Sequence, residues 1–249
     1  MASRAEHGTV YKGRGATFDP KVRFESAAVD AFDDGWGSLA RARAEDPPPR
    51  TEVRPDASRT VIARNTSPDI PFDRSINPYR GCEHGCVYCY ARPSHAYLGL
   101  SPGLDFETKL VAKLDAAPLL ERELARPGYR CQPIALGTNT DPYQPQERRL
   151  MITRGILEVL AQCRHPVTIV TKSAAVTRDL DLLAPMAADG LARVALSVTT
   201  LDPALARTLE PRAAAPHRRL EALRTLSAAG VPTSVMVAPV IPALNDHEI

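Results

Sequence analysis

The chain has 249 residues, 44% of them hydrophobic and 24% charged, with a formal net charge of +2. This supplies enough apolar material for a sizeable core and too little charge to argue for nucleic acid by itself. No run of about 18 apolar residues marks a transmembrane helix, and residues 1–15 carry no apolar signal region, so the expectation is a cytoplasmic chain with reduced thiols.

Residues 1–60 are polar, with Gly13, Gly15 and the run Pro47-Pro48-Pro49, and show no sustained helical or strand period. They read as an extended or partly disordered arm. Within it, Arg14 to Glu25 mixes charge with aromatic residues, a composition that suits packing across a barrel or touching a partner. From residue 61 to 249 short apolar runs alternate with helical patterns. A strand near Ser75–Tyr79 precedes a cysteine-rich loop. Pro133–Gly137, Val167–Thr171, Val194–Val198 and Thr233–Val237 are short and almost wholly apolar, as strands buried on both faces of a parallel sheet are. Between them, Arg149–Gln162 places Leu150, Ile156, Leu157 and Leu160 near helical spacing. Arg219–Ala229 places Leu220, Leu223 and Leu226 likewise, ahead of Gly230 as a cap. This alternation predicts an α/β fold with a parallel sheet of five core strands, open or curled into a barrel. The chain stops at Asn245–Ile249, where a further helix is due, so the expectation is a core lacking its last strand and left with an open sheet edge.

The loop reads Gly81-Cys82-Glu83-His84-Gly85-Cys86-Val87-Tyr88-Cys89-Tyr90. Three thiolates at C-x3-C-x2-C spacing suit three corners of an iron–sulfur cubane, which cysteine thiolates hold at short loop spacings. Cys131 is far along the chain, so the fourth iron would be left open for chemistry, and Gly81 and Gly85 would let the loop wind tightly. The competing reading is a zinc-binding interaction module with His84 as fourth ligand, although a histidine between two cysteines is awkwardly placed to close a tetrahedron. Cys163 ends a helix and reads as a small buried residue.

The C-x3-C-x2-C motif, with an aromatic before the last cysteine and strands and helices alternating after it, resembles the radical S-adenosylmethionine superfamily. Residues from about Asn77 to Pro242 look further like the spore photoproduct lyases and their DNA repair photolyase-like relatives. That match runs through Val170-Thr171-Lys172, Leu196-Ser197-Val198, Leu209-Glu210-Pro211, Arg218-Arg219-Leu220-Glu221-Ala222 and Ala238-Pro239-Val240-Ile241. The resemblance implies a partial parallel (β/α)6 barrel of TIM type with its site at the C-terminal strand ends. It implies a 4Fe–4S cluster on Cys82, Cys86 and Cys89, and S-adenosylmethionine cleaved reductively to a 5′-deoxyadenosyl radical that abstracts hydrogen from an unknown substrate. A flavodoxin- or ferredoxin-type electron donor would supply the reduction.

Carried over by residue, Tyr88 would lie along the adenine, or simply pack the loop. Lys172 would meet the cofactor carboxylate, or snorkel to the surface. Ser197 would approach the ribose, or bond to backbone as a core hydroxyl. Thr138 and Asn139 would meet the cofactor amine, or form a turn. Glu210 and Arg212 would face substrate, or stay solvated. Arg218, Arg219 and Arg224 would contact phosphates, with nucleic acid as substrate, or form an exposed helix face. The lyase resemblance also implies a hydrogen-returning cysteine at the end of the second strand, where this chain has Gly137 and Thr138. Cys131 falls before that strand, at its far end, so repair of pyrimidine photoproducts is the alternative and not the leading reading.

Overall fold

The computed structural model describes residues 10–24 and 49–248. In chain order the strands are β1 (Glu52–Pro55), β2 (Ile62–Arg64), β3 (Arg74–Ile76), β4 (Tyr79–Arg80), β5 (Lys109–Ala112), β6 (Ile134–Leu136), β7 (Val167–Thr171), β8 (Ala192–Ser197) and β9 (Thr233–Met236). The α-helices are α1 (Leu104–Thr108), α2 (Ala116–Leu124), α3 (Glu147–Leu150), α4 (Ile152–Gln162), α5 (Leu180–Ala188), α6 (Pro203–Leu209) and α7 (Pro216–Ala228). Six strands form one sheet in the order β2-β3-β6-β7-β8-β9. From β3 to β9 every pairing is parallel, and β2 runs antiparallel along one edge. A second, small sheet has the order β1-β5-β4. The fold is therefore mixed α/β, with five parallel strands at the places where apolar β-branched runs predicted them.

The core lies between this sheet and its helices. Ile76, Ile134, Leu136, Ile169 and Leu196 from the strands pack with Leu120, Ile156, Leu157, Leu160, Leu183 and Leu226 from the helices, all buried. Each such side chain contributes about 1.5–3 kcal/mol relative to exposure.

Three predicted boundaries shift, each for a visible reason. The Ser75–Tyr79 strand divides at Asn77-Pro78 into β3 and β4, and β4 leaves to pair with β5. The predicted helix from Arg149 breaks at Met151, whose φ is +56°. There the buried Glu147 carboxylate accepts the Thr153 N–H at 3.0 Å and acts as the start signal for α4. Helix α7 begins at Pro216, whose fixed φ and missing N–H suit a first turn. It ends where Gly230, at φ +80°, lets the Val231 N–H return to the Leu226 carbonyl at 3.0 Å.

Residues 10–24 are laid across the cysteine loop. The Gly15 and Ala16 N–H groups donate to the buried Glu107 carboxylate at 3.0 and 2.9 Å. Arg14 donates to the Glu107 carbonyl at 2.9 Å and to Thr51 at 3.0 Å. Most of the remaining arm, including Glu25, Pro47 and Pro48, lies outside the described residues. Strand β9 ends the sheet, with Val235 and Met236 exposed. No helix among the described residues is long and apolar enough to cross a membrane.

Candidate functional site

The cysteine loop follows β4 and closes over the C-terminal tips of the parallel strands. Its main chain is fastened on several sides. The Cys82 N–H donates to the Phe106 carbonyl at 2.9 Å, and the Val87 N–H to the Leu209 carbonyl at 3.0 Å. Glu83 N–H donates to Gln144 Oε1 at 3.0 Å, and the Arg212 N–H to the His84 carbonyl at 3.1 Å. Arg92 holds the Cys86 carbonyl with two N–H donors at 3.1 and 2.9 Å. Gly81 and Gly85 sit at φ +79° and +67°, the left-handed conformation that a tight winding needs.

This winding places Cys82, Cys86 and Cys89 on one cavity with His84, Tyr88, Tyr90, Thr138, Asn139, Asp141, Lys172 and Ser197. The eight residues expected to hold the cluster or meet the cofactor therefore meet at one place, drawn from the loop and from the tips of β6, β7 and β8, whereas Glu210, Arg212, Arg218, Arg219 and Arg224 do not line it. The cavity measures about 130 Å³. That is below the roughly 300 Å³ of pockets that enclose a whole small molecule.

All three thiols are free; Cys82 and Cys86 are buried and Cys89 is half-buried. Burial pushes Cys82 well above the usual thiol range, with Asp141 and Cys86 adding to it. Burial also pushes Cys86 up to about 12; Lys172 opposes this, while Glu210, Cys89 and Asp141 reinforce it. Ionising these thiols without a compensating cation is costly, and a metal centre reverses that logic by deprotonating its thiol ligands outright. Among the described residues no three His, Cys, Asp or Glu side chains close on a single ion. A tetrahedral zinc with ligands near 2.3 Å would draw its sulfurs within roughly 4 Å of one another, whereas a cubane takes one thiolate per iron corner and spreads its ligands. Three free thiols on one tightly wound loop are a donor set that fits three corners of such a cluster.

Lys172 Nζ donates to Ser197 Oγ at 2.9 Å and lies 3.9 Å from Glu210 Oε1. It is partly buried and turned into the cavity, so the snorkelling alternative does not hold. Tyr88 donates its hydroxyl to Glu210 and lies 3.0 Å from the Thr199 hydroxyl, with Lys172 Nζ 5.7 Å from its ring centre. Burial and the neighbouring charges of Cys86 and Glu210 raise the Tyr88 hydroxyl above its usual range, so it stays protonated. Thr138 and Asn139 form a polar turn closed by Asn77, which accepts the Asn139 N–H at 2.9 Å and donates to Thr138 Oγ1 at 3.2 Å.

Glu210 is not solvated. Its side chain is 0% exposed and that of Arg219 is 1%, and the two are paired by a short contact. Arg219 also donates to the Ser197 carbonyl at 2.8 Å and the Ala214 carbonyl at 2.7 Å. The Glu210 carboxyl lies below its usual range; burial opposes this and is overcome by Arg219 and Lys172. Arg219 is thus neither a phosphate contact nor part of an exposed face, whereas Arg218 and Arg224 are exposed. Arg212 lies 3.4 Å from the buried Glu83 carboxylate. Cys163 is exposed, because it follows the last turn of α4 and points away from the core; Cys131 is exposed before β6.

Asp141 is the main residue that the sequence reading passed over. It accepts the Lys172 N–H at 2.7 Å, the Thr171 hydroxyl at 2.7 Å and the Tyr143 N–H at 2.8 Å, and His84 Nδ1 lies 3.3 Å away. Burial alone would raise it, but His84 and these donors hold it down at about 2. One carboxylate thereby fixes the loop, the β6 tip and the β7 tip together. The signal was the run Asn139-Thr140-Asp141-Pro142, which as a turn has the same composition.

Comparison with known proteins agrees with this geometry. Residues 76–249 match the radical SAM superfamily. An uncharacterised protein of Mycobacterium tuberculosis is 45% identical over 177 residues, 71% of this chain and 52% of that protein. One from Methanocaldococcus jannaschii is 29% identical over 173 residues, covering 70% of this chain and 62% of its own length. The chain thus spans about half the length of the mycobacterial relative. Among solved structures, spore photoproduct lyase complexed with dinucleoside spore photoproduct superposes with a TM-score of 0.54 at 18% identity, covering 76% of this chain and 52% of that one. A mutant lyase with bound AdoMet and the same dinucleoside gives 0.53, also at 18%. At that identity the likeness concerns the fold. The superfamily match over most of the chain, on the segment that carries the three thiols and the strand tips, is decisive for kinship: the chain belongs to the radical SAM superfamily of enzymes.

Proposed function

We propose that the chain is the cofactor-bearing core of a radical S-adenosylmethionine enzyme, built on a partial (β/α) barrel. Cys82, Cys86 and Cys89 would hold a 4Fe–4S cluster, and Thr138, Asn139, Lys172, Ser197 and Tyr88 would receive S-adenosylmethionine. When bound, the cluster supplies the electron that breaks the cofactor's sulfonium and yields a 5′-deoxyadenosyl radical able to abstract hydrogen from a substrate. The observation that carries this reading is the convergence of three free thiols and one partly buried ammonium on a single cavity at the strand tips.

The protein's own contribution is placement. Lys172 would offer its ammonium to a carboxylate, held forward by its bond to Ser197, with the Glu210 carboxylate 3.9 Å away. Tyr88, clasped by Glu210 and Thr199, offers a flat ring beside the thiols. The Thr138–Asn139 turn offers hydroxyl and amide groups for an ammonium. The cavity-lining residues contain no thiol beyond the loop's three, so the lyase reaction with a hydrogen-returning cysteine is not carried over. Arg92 and the Arg212 N–H, bonded to the Cys86 and His84 carbonyls, fasten the loop beside Lys172.

Anaerobic reconstitution with iron and sulfide, followed by chemical reduction with S-adenosylmethionine, tests the reading. Release of 5′-deoxyadenosine is the expected result. A brown, reduced protein that leaves S-adenosylmethionine intact would remove the proposal.

A further inference from the structure

The outer side of the cysteine loop is covered by residues 10–24. The contact is close. A Cβ added at Gly15 would lie 1.8 Å from the Gly85 carbonyl oxygen and 3.2 Å from Val87 Cγ1. This strap carries Lys12, Arg14, Lys21 and Arg23 against one acid, Asp19, a local excess larger than the whole chain's net +2. Arg14 is turned inward onto Glu107 and Thr51. Asp19 is engaged by the Asp105 N–H at 2.9 Å. Lys12, Lys21 and Arg23 are exposed. They alternate along the strap with Phe18 and Phe24, which are 49% and 59% exposed, and Val87 of the cysteine loop, 45% exposed, lies against the strap at Gly15.

We propose that this strap, which presents Lys12, Lys21 and Arg23 together with the exposed Phe18 and Phe24 over the cysteine loop, is the docking face for an acidic one-electron carrier protein of the flavodoxin or ferredoxin type. The inference rests on the function proposed above, which needs a single electron delivered from outside. The step is one electron: the carrier is oxidised by one and the cluster reduced by one, with no bond made to the protein. Electron transfer weakens steeply with distance, and a partner seated here is separated from the loop main chain between Cys82 and Cys86 by the strap alone. Exposed apolar groups interspersed with charge suit a weak, transient interface, and charge complementarity speeds such an encounter. A nucleic acid would also be drawn to these cations. However, no strap residue lines the cavity, so a strand held on the strap would not present its bases to the site.

The test uses the full chain, an acidic bacterial flavodoxin carrying a fluorescent label and, separately, a labelled single-stranded oligonucleotide. The triple variant Lys12→Glu, Lys21→Glu, Arg23→Glu is compared with Arg224→Glu, a charge reversal on an exposed part of α7. The proposal expects flavodoxin to bind the wild-type chain with affinity that falls as salt rises. The triple variant should bind at least about tenfold more weakly and lose most of that salt dependence, with Arg224→Glu unchanged. In reconstituted protein, reduction by flavodoxin hydroquinone should slow in the triple variant while reduction by dithionite keeps its rate. Flavodoxin binding that is absent in the wild type, or untouched in the triple variant, overturns the docking face. So does loss of oligonucleotide binding alone. Protein that forms no cluster counts against the proposed function, while the binding arm still judges the docking face.

Discussion

Lys172 Nζ donates to Ser197 Oγ at 2.9 Å, joining the tips of two neighbouring parallel strands across the cavity. Strands β7 and β8 pair from Val167↔Ala192 to Thr171↔Leu196, and the side-chain bond continues this register one step beyond the ladder. The Lys172 main chain is fixed as well, by Asp141. Lysine placed this way is preorganised for an anionic ligand group. Lys172→Met should weaken S-adenosylmethionine binding by about 1.5–3 kcal/mol, the worth of a hydrogen bond to a charged group, or roughly 10–100-fold. Ser197→Ala should cost only about 0.5–1.5 kcal/mol. Equilibrium binding of the cofactor measures both, and equal losses would contradict this division of roles.

The Glu210–Arg219 pair predicts a stability effect. Both side chains are buried, so Arg219→Ala leaves a carboxylate without its main partner, and a loss of about 3–5 kcal/mol is expected. Replacing both partners by Leu and Met should cost clearly less than the sum of the single changes, because no unpaired charge remains. Denaturant midpoints at constant slope report the comparison.

How much of this was legible depends on the range over which each feature is determined. The parallel strands were readable because both faces are buried and β-branched runs follow from that. That Cys82, Cys86 and Cys89 would come together on one cavity was readable from their spacing. The break at Met151 was not, because its cause is the side chain of Glu147 with Tyr79 and Arg178 around it. Glu210 and Arg219 looked like ordinary surface charges; they lie on different elements, and no periodicity joins them. The order of the strap depends on Glu107, more than ninety residues from Gly15, which a local pattern cannot express.

Gly137 stands at φ +84°, and a Cβ there would lie 2.0 Å from the Val170 carbonyl oxygen. Gly137→Ala must therefore push the β6 tip, with Thr138 and Asn139, away from β7. Lower thermal stability together with weakened cofactor binding is expected. Binding that survives at wild-type strength would show that the Thr138–Asn139 turn is not part of the site.

The pH dependence of stability should carry a signature of His165. Its ring is buried, with Nε2 2.8 Å from the Tyr129 hydroxyl. Burial lowers its pKa below 6.5, with Arg74 adding to the effect and a bond to the Pro166 carbonyl opposing it. The folded state thus resists a proton that the unfolded chain accepts. The stability linked to this ring is intact above about pH 6.5 and is lost as pH falls below that value through the folded pKa. His165→Gln should flatten the acid side of the stability curve, and an unchanged slope would assign it to other groups.

The central claim is that three sulfurs share one inorganic centre. Iron and sulfide content after anaerobic reconstitution, with electron paramagnetic resonance of the reduced protein, tests it most directly on single alanine variants of the five cysteines. Roughly four irons per chain are expected in wild type, Cys131→Ala and Cys163→Ala, with loss of the cluster signal in Cys82→Ala, Cys86→Ala and Cys89→Ala. A wild-type chain that takes up one zinc and no iron, or a cluster that survives all three loop substitutions, would contradict it.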